Sequence, residues 1–302
     1  MQILQLPIGA DGMETTRHGS FAFPMAVYHS VMSKNVLGHT PWHWHGEIQF
    51  CLVTAGGICF FVNEKQYLLS PGEGIFINSG YLHMAKPAGD PDSAYICLDV
   101  DARLISSFSG SAIEQQYVAP FLKDPAMEDC RLSSAVGWQK EILDRIAVAY
   151  ELYEAREFGC ELRLSILLQE MWLLLLEHRP REMPAVRSRF HENALVQGIL
   201  SYIGQNYGQH ISLEDIAKAV CFSGSECCRI FKKVTGETIF SYLNSYRLAR
   251  GMELLRGTQL SVSQIAYDTG FCSASYFIEA FKAHKGSTPL QYRKSSGEKG
   301  LP

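Results

Sequence analysis

The sequence predicts an α+β chain of two domains: an antiparallel β-barrel with accompanying helices, then an all-α domain carrying a double helix-turn-helix. Three observations lead there. Residues 21–100 hold closely spaced runs of β-branched and aromatic residues separated by turn signals. Residues 191–293 read as helical throughout, with no strand pattern. Within them, residues 211–236 are weakly repeated as residues 260–286. A chain of 302 residues suits about two domains at roughly 150 residues each.

The strand runs of the first domain are FAFPMAVYHSVM, EIQFCLVT, ICFFV, QYLL, GIFIN and SAYICLDV. Ala55-Gly56-Gly57, Asn63-Glu64-Lys65, Pro71-Gly72-Glu73-Gly74 and Ser79-Gly80 supply the turns. Residues 101–132 are ambiguous, with Pro120 and Pro125 as breakers. From Ser133 the pattern turns helical: Ile142, Ile146, Ala149 and Tyr153 stand three or four apart, and Gly159 ends the run. A second helix is expected from Cys160 to Glu177, and the pair suits a core hairpin or a dimer seam. Trp138 and Trp172 lie on these stripes and are expected in the core. HRPREMPAVRSR, with two prolines, four arginines and no apolar period, marks a linker. The expected division is 1–177, linker 178–190, and 191–302.

Composition narrows the function. With 47% hydrophobic and 19% charged residues the chain is neither disordered nor low-complexity. The net charge of −4 is unevenly spread, with 15 Lys+Arg against 22 Asp+Glu in residues 1–190 and 12 against 9 in residues 191–302. Two modules with different partners fit that asymmetry. Nine cysteines with no CxxC pair speak against a disulfide framework or a zinc ribbon, and suit free thiols in a reducing cytoplasm. MQILQLPIGADGMETT lacks a basic segment followed by an apolar core, so no secretion signal is expected. Arg163, Gln169 and Glu170 interrupt the greasiest stretch, which falls short of the ~20 apolar residues of a membrane span. No GxGxxG, Walker, GxSxG or HExxH pattern is present, so no catalytic residue and no cofactor are assigned.

The repeat is the most informative feature. Ser212 aligns with Ser261, Ile216-Ala217 with Ile265-Ala266, and Phe222 with Phe271. After a one-residue offset, Ser225 aligns with Ser275, Phe231 with Phe281, Lys232 with Lys282 and Gly236 with Gly286. Each copy reads as helix, tight turn, helix. Ser212 and Ser261 suit N-caps, the second helices start near Ser223 and Ser273, and Gly236 and Gly286 suit left-handed C-caps. The first helices would bury Leu213, Ile216, Ala217 and Val220, or Val262, Ile265 and Ala266. The second would bury Cys227, Ile230 and Phe231, or Phe277, Ala280 and Phe281. Ile239 to Arg256 can form one spacer helix. Such a motif reads DNA because its second helix protrudes into the major groove, while lysines such as Lys232, Lys233 and Lys282 hold phosphates. An ordinary helical bundle is the plainer alternative.

Residues 211–293 resemble the DNA-binding domain of the AraC/XylS family of bacterial transcription regulators. The diagnostic part is YRLARGMELLRGTQLSVSQIAYDTGFCSASYFIEAFKAHKGSTPLQYRK. The resemblance covers about the last third of the chain without a gap. It implies promoter DNA and RNA polymerase as partners, a homodimer, and activation more often than repression. Carried over by alignment, the first reading helix presents Ser225, Cys228 and Arg229, and the second Ser275, Tyr276 and Glu279. Arg229 can pair bidentately with guanine. Cys228 also suits a small filler, and Glu279 a solvated face or an internal salt bridge. Glu279 departs from the family, which more often has arginine there. Gly251-Met252 departs too, standing where an alanine is usual, and a helical glycine is expected to soften the spacer.

The second constellation is His43, His45 and Glu47 in HWHGEIQF, with His83 ending GEGIFINSGYLH. It looks like part of a cupin-type β-barrel, the sensor domain of many members of this family. Residues two apart share one face of a strand, so His43, His45 and Glu47 are expected to point together, with His83 on a neighbouring strand. Three imidazoles and a carboxylate suit a transition metal. Metal-binding cupins, however, place the glutamate four or five residues past the second histidine, and no metal is assigned. The reading preferred here is an effector site for a hydroxylated molecule such as a sugar, with Trp42 or Trp44 stacking on it. A metal-dependent cupin enzyme fused to a DNA-binding domain is the alternative, and a barrel that binds nothing is the plainest one.

Overall fold

The computed structural model describes residues 1–9, 11–122, 124–179 and 187–297. The chain divides into two compact units that part between Asn193 and Ala194. Of the expected linker, residues 180–186 lie outside the described residues, and Arg187 already belongs to a helix. No helix among the described residues is long and apolar enough to cross a membrane.

The first unit contains two antiparallel sheets. Its strands are β1 (Met25–Val31), β2 (Thr40–His43), β3 (Ile48–Ala55), β4 (Ile58–Val62), β5 (Lys65–Leu69), β6 (Gly74–Ile77), β7 (His83–Pro87), β8 (Ala94–Val100) and β9 (Asp129–Leu132). One sheet has the order β1-β8-β3-β6-β9, the other β2-β7-β4-β5. Two short helices, α1 (Arg103–Ser106) and α2 (Ala119–Leu122), occupy the stretch that is ambiguous in the sequence. The longer α3 (Gly137–Ala155) and α4 (Cys160–His178) follow, with Gly159 at φ 83° opening α4. The strands β2, β7 and β9 are too short and too mixed in composition to stand out in the sequence.

Strand alternation sorts β3 and β8 into two cores. Ile48, Phe50, Leu52, Ile96, Leu98 and Val100 face α3 and α4, packing with Ile142, Leu143, Ile146, Leu164, Leu168 and Trp172. Cys51, Val53, Tyr95 and Cys97 face the other way and pack with Ile58, Phe60 and Val62 of the second sheet. Both faces of the five-stranded sheet are therefore covered, which is why β3 and β8 read as near-continuous apolar runs. Trp172 belongs to the first core and donates its indole N–H to Tyr117 O at 2.7 Å, tying α4 to the 101–122 stretch.

One expectation fails here. His43, His45 and Glu47 do not share a strand: β2 ends at His43 and β3 begins at Ile48, in different sheets. Residues 44–47 form the crossover, so strict two-residue alternation does not apply to them.

The boundary falls within α5 (Arg187–Asn206), and the second unit is helical: the rest of α5, then α6 (Leu213–Val220), α7 (Gly224–Thr235), α8 (Ile239–Gly257), α9 (Val262–Asp268), α10 (Ala274–Lys285) and α11 (Pro289–Gly297). Local chemistry sets its boundaries. Ser212 and Asp215 form a reciprocal capping box on α6. Ser223, Thr238, Ser261 and Ser273 accept from the third backbone N–H of α7, α8, α9 and α10. Gly236 at φ 76° and Gly286 at φ 69° end α7 and α10 in the left-handed conformation. Ile216, Cys227, Ile230 and Phe231 are buried in the first repeat, and Ile265, Ala266, Phe277 and Phe281 in the second. Leu213, Ala217, Val220, Val262 and Ala280 are only half-buried. Arg247 of α8 donates to Tyr207 O at 2.8 Å and Gln209 O at 2.7 Å, pinning the loop before α6.

Candidate functional site

The candidate nucleic-acid interface follows from the two second helices. On α7 the apolar side chains at 227, 230, 231 and 234 turn inward. Helical spacing then leaves Ser225, Cys228, Arg229, Lys232 and Lys233 exposed. On α10 burial of Phe277 and Phe281 leaves Ser275, Tyr276, Glu279 and Lys282 exposed. Each group lies along a helix whose N-terminus carries a serine cap. Tyr276 is steadied from behind: its ring stands 5.8 Å from Phe271, and its hydroxyl lies 3.5 Å from Asn244 Nδ2 of α8. Glu279 makes no ion pair among the described residues, so the internal salt bridge entertained for it is not formed.

The expected softening at Gly251 takes a different form. A Cβ at Gly251 would stand 2.9 Å from Cε2 of the buried Phe277, so the glycine admits α10 against α8. The glycine serves packing, and its helical cost of about 1 kcal/mol is offset by that contact.

The barrel site is buried and polar. His43 and His83 are directly paired across β2 and β7, with ring centroids 4.1 Å apart. His45, on the crossover, stands 4.9 Å from the His83 ring and 5.6 Å from that of His43. One ring nitrogen from each of the three lies within 4.8 Å of the others. Each Nδ1 is turned away to a backbone carbonyl: His43 to Pro41 O at 2.8 Å, His83 to Tyr81 O at 2.8 Å, and His45 to Glu47 O at 3.2 Å. A carbonyl only accepts, so these Nδ1 atoms carry hydrogen. Burial is the main cause holding His43 and His45 well below the ordinary imidazole range, and burial lowers His83 as well.

Glu14 and His18 come from the segment before β1, which runs alongside the crossover through a bridge of Met13 to Trp44. Glu14 Oε2 faces His43 Nε2 at 3.6 Å, while its Oε1 faces His18 Nε2 at 3.4 Å. His18 Nδ1 is 3.1 Å from the Tyr28 hydroxyl and 3.5 Å from Asp99 Oδ2. Burial opposes a charge on His18, but Glu14 and Asp99 overcome it and lift the ring to about 9. Gln49, opposite Asp99 in the β3–β8 pairing, donates to Asp99 Oδ1 at 2.8 Å and reaches His45 Nε2 at 3.4 Å.

His43, His45 and His83 are thus brought together, and three other expected site residues are not. The Glu47 carboxylate stands 3.5 Å from His45 Nδ1, behind the ring and away from the convergence. Trp42 packs edge-on against Phe61, with centroids 6.1 Å apart. Phe61 alternates with the inward Phe60 and Val62, so Trp42 lies on the outer face of the four-stranded sheet, opposite His43. Trp44 makes no ring contact with the imidazoles among the described residues, and its carbonyl accepts from Glu14 N at 2.9 Å. A stacking role for either indole has no geometric support. Glu14, His18, Gln49 and Asp99 are the residues sequence reasoning missed. Gln49 and Asp99 did leave a signal, as polar residues inside apolar strands. Glu14 and His18 left none, because they precede the first strand with no motif spacing.

Two family models match the chain, one described as an AraC-like ligand binding domain over residues 35–170 and one as a helix-turn-helix domain over residues 216–295. The uncharacterized HTH-type transcriptional regulator YdeC of Bacillus subtilis (strain 168) is 34% identical over 281 residues, covering 93% of this chain and 95% of its own. The melibiose operon regulatory protein of Escherichia coli (strain K12) is 25% identical over 258 residues, 85% of this chain and 84% of its own. The HTH-type transcriptional activator RhaR of Mannheimia succiniciproducens is 25% identical over 255 residues, 84% of this chain and 87% of its own.

Proposed function

This chain belongs to the AraC family of DNA-binding transcription regulators, and we propose that it is an activator controlled by a small hydroxylated effector, such as a sugar, bound in its N-terminal barrel. The observation that carries the reading is the pair of serine-capped second helices, each keeping a polar and basic face exposed above a buried apolar one. We assign base reading to Ser225, Cys228, Arg229, Ser275, Tyr276 and Glu279, and phosphate contact to Lys232, Lys233 and Lys282.

A polar effector is supported by His83 Nε2, which is buried beside the rings of His43 and His45 with no hydrogen-bond partner among the described residues and which a purely apolar ligand would leave unsatisfied. One relative's name, melibiose operon regulatory protein, favours a sugar, and another's, transcriptional activator, favours activation. To act, the effector must bind one of two functional states of the regulator more tightly than the other. We further propose a cytoplasmic homodimer that contacts RNA polymerase. Leu162, Ile166 and Leu173 lie along α4 at 68%, 50% and 51% exposure, an apolar stripe of the kind that seams two helices.

The test uses the full chain. It should retard promoter fragments in a salt-sensitive way. In a thermal-shift screen of sugars and sugar acids, an effector at 100 times its Kd should stabilise by about 2.7 kcal/mol. The same compound should change DNA affinity. A stabilising compound with no effect on DNA binding would defeat the regulatory reading.

A further inference from the structure

Three imidazole nitrogens converge between the sheets, and a fourth acceptor, Glu14 Oε2, adjoins that of His43. His43, His45 and His83 each commit the Nδ1 hydrogen to a backbone carbonyl, which turns the lone pair of Nε2 inward. His83 Nε2 is buried and has no hydrogen-bond partner among the described residues. His43 Nε2 faces Glu14 Oε2 at 3.6 Å, one acceptor against another. The Gln49 amide gives one hydrogen to Asp99 at 2.8 Å and reaches His45 Nε2 with the other only at a long 3.4 Å. Something positive between these atoms would satisfy all of them.

We propose that His43, His45, His83 and Glu14 bind a divalent first-row transition cation. Nitrogen donors select such an ion over magnesium or calcium, which take oxygen. The hydrogen bonds behind the rings are those that fix a metal-binding imidazole in orientation and tautomer. Glu14 is oriented by an ion pair, with Oε1 3.4 Å from His18 Nε2 and Oε2 3.6 Å from His43 Nε2. Around one tetrahedral ion at roughly 2.0–2.1 Å, nitrogens stand about 3.3 Å apart, so ring nitrogens already within 4.8 Å need to close by at most about 1.5 Å. Glu14, 29 residues before His43 in the chain, supplies the carboxylate because it faces His43 Nε2, whereas Glu47 lies behind the His45 ring at Nδ1. This goes beyond the effector reading and does not depend on it.

The experiment is titration of the chelator-treated full chain with Co2+ alone, read by the visible ligand-field absorption and by bound metal after dialysis. One equivalent is expected, with bands of a four-coordinate nitrogen–oxygen site. His83→Gln should weaken binding by more than the roughly 10–100-fold that loss of an outer partner costs. Glu14→Gln, an isosteric change at the chain's start, should weaken it and alter the spectrum. Glu47→Gln should leave one equivalent and the same bands. Circular dichroism shows that each variant is folded, and His43→Gln replaces His83→Gln if the latter is not. No uptake, or uptake that survives both the histidine and the Glu14 variants as on an adventitious surface site, overturns the proposal. Uptake lost in the histidine variant but unchanged in Glu14→Gln overturns Glu14 as the fourth ligand. DNA retardation and effector thermal shifts are read separately, so failure here is distinct from failure of the regulator reading.

Discussion

Phe277 of α10 lies directly over Gly251 of α8, close enough that even a methyl group at residue 251 would press on its ring, at 2.9 Å from Cε2 and 3.1 Å from Cζ. The ring is fully buried and is flanked by Phe271 and Phe281, with centroids 5.1 Å and 5.7 Å away, so it cannot swing aside. Gly251→Ala should therefore destabilise the second unit, although alanine is the better helix former by about 1 kcal/mol. Overpacking of this kind costs about 1–3 kcal/mol, so the net loss should be about 1 kcal/mol in urea unfolding. Phe277→Leu in the same chain should recover part of it. A stabilised Gly251→Ala protein would show that the contact yields freely.

The two repeats differ at the turn. Gly270 takes φ 79° in the second, whereas Cys221 takes φ 60° in the first. A residue with a Cβ is disfavoured there by roughly 1–2 kcal/mol, while glycine loses about 0.5–1 kcal/mol through its freer unfolded state. Cys221→Gly should stabilise the first helix-turn-helix by about 0.5–1 kcal/mol, measured by chemical denaturation. A loss of stability would mean that the Cys221 side chain contributes more than its backbone costs.

Asp215 answers to pH. The Ser212 hydroxyl and then the Ser212 backbone N–H hold its carboxyl below the usual aspartate range. Because the folded value lies below the unfolded one, its contribution is full above the unfolded value and fades as pH falls through the folded value. Asp215→Asn should flatten the part of the acid limb that lies at and below the ordinary aspartate range. Unfolding midpoints across this range decide it, and parallel acid limbs would remove Asp215 from the account.

Arg229 separates base reading from phosphate binding. Arg229→Ala should cost about 1–3 kcal/mol on the preferred site and relax the preference at one base pair. Selection from a randomised duplex pool supplies the site and the preference. An equal loss on every sequence, with a smaller salt slope, would reassign Arg229 to a phosphate.

Ile166 tests the dimer seam. Lysine at this half-exposed position of α4 should leave the fold intact, because the buried Leu164 and Leu168 hold the other face of the helix. Sedimentation should shift from dimer to monomer in Ile166→Lys. An unchanged dimer would place the seam elsewhere.

Most of the helical unit is legible in the order of its residues. Serines, glycines and apolar residues at three- and four-residue spacing act on their nearest neighbours, so caps and buried faces are written locally, from Ser212 to Gly286. Residue order also indicates which histidines share the barrel, since His43 and His83 pair across adjacent strands. Only packing between distant segments places a carboxylate opposite His43 and sets where the indoles go. The chain changes sheets between His43 and Ile48, and that crossover breaks the alternation that would have placed Glu47 beside His43. Glu14 reaches His43 because the first residues fold back along Trp44, a long-range contact set by packing and by no neighbouring residue in the chain.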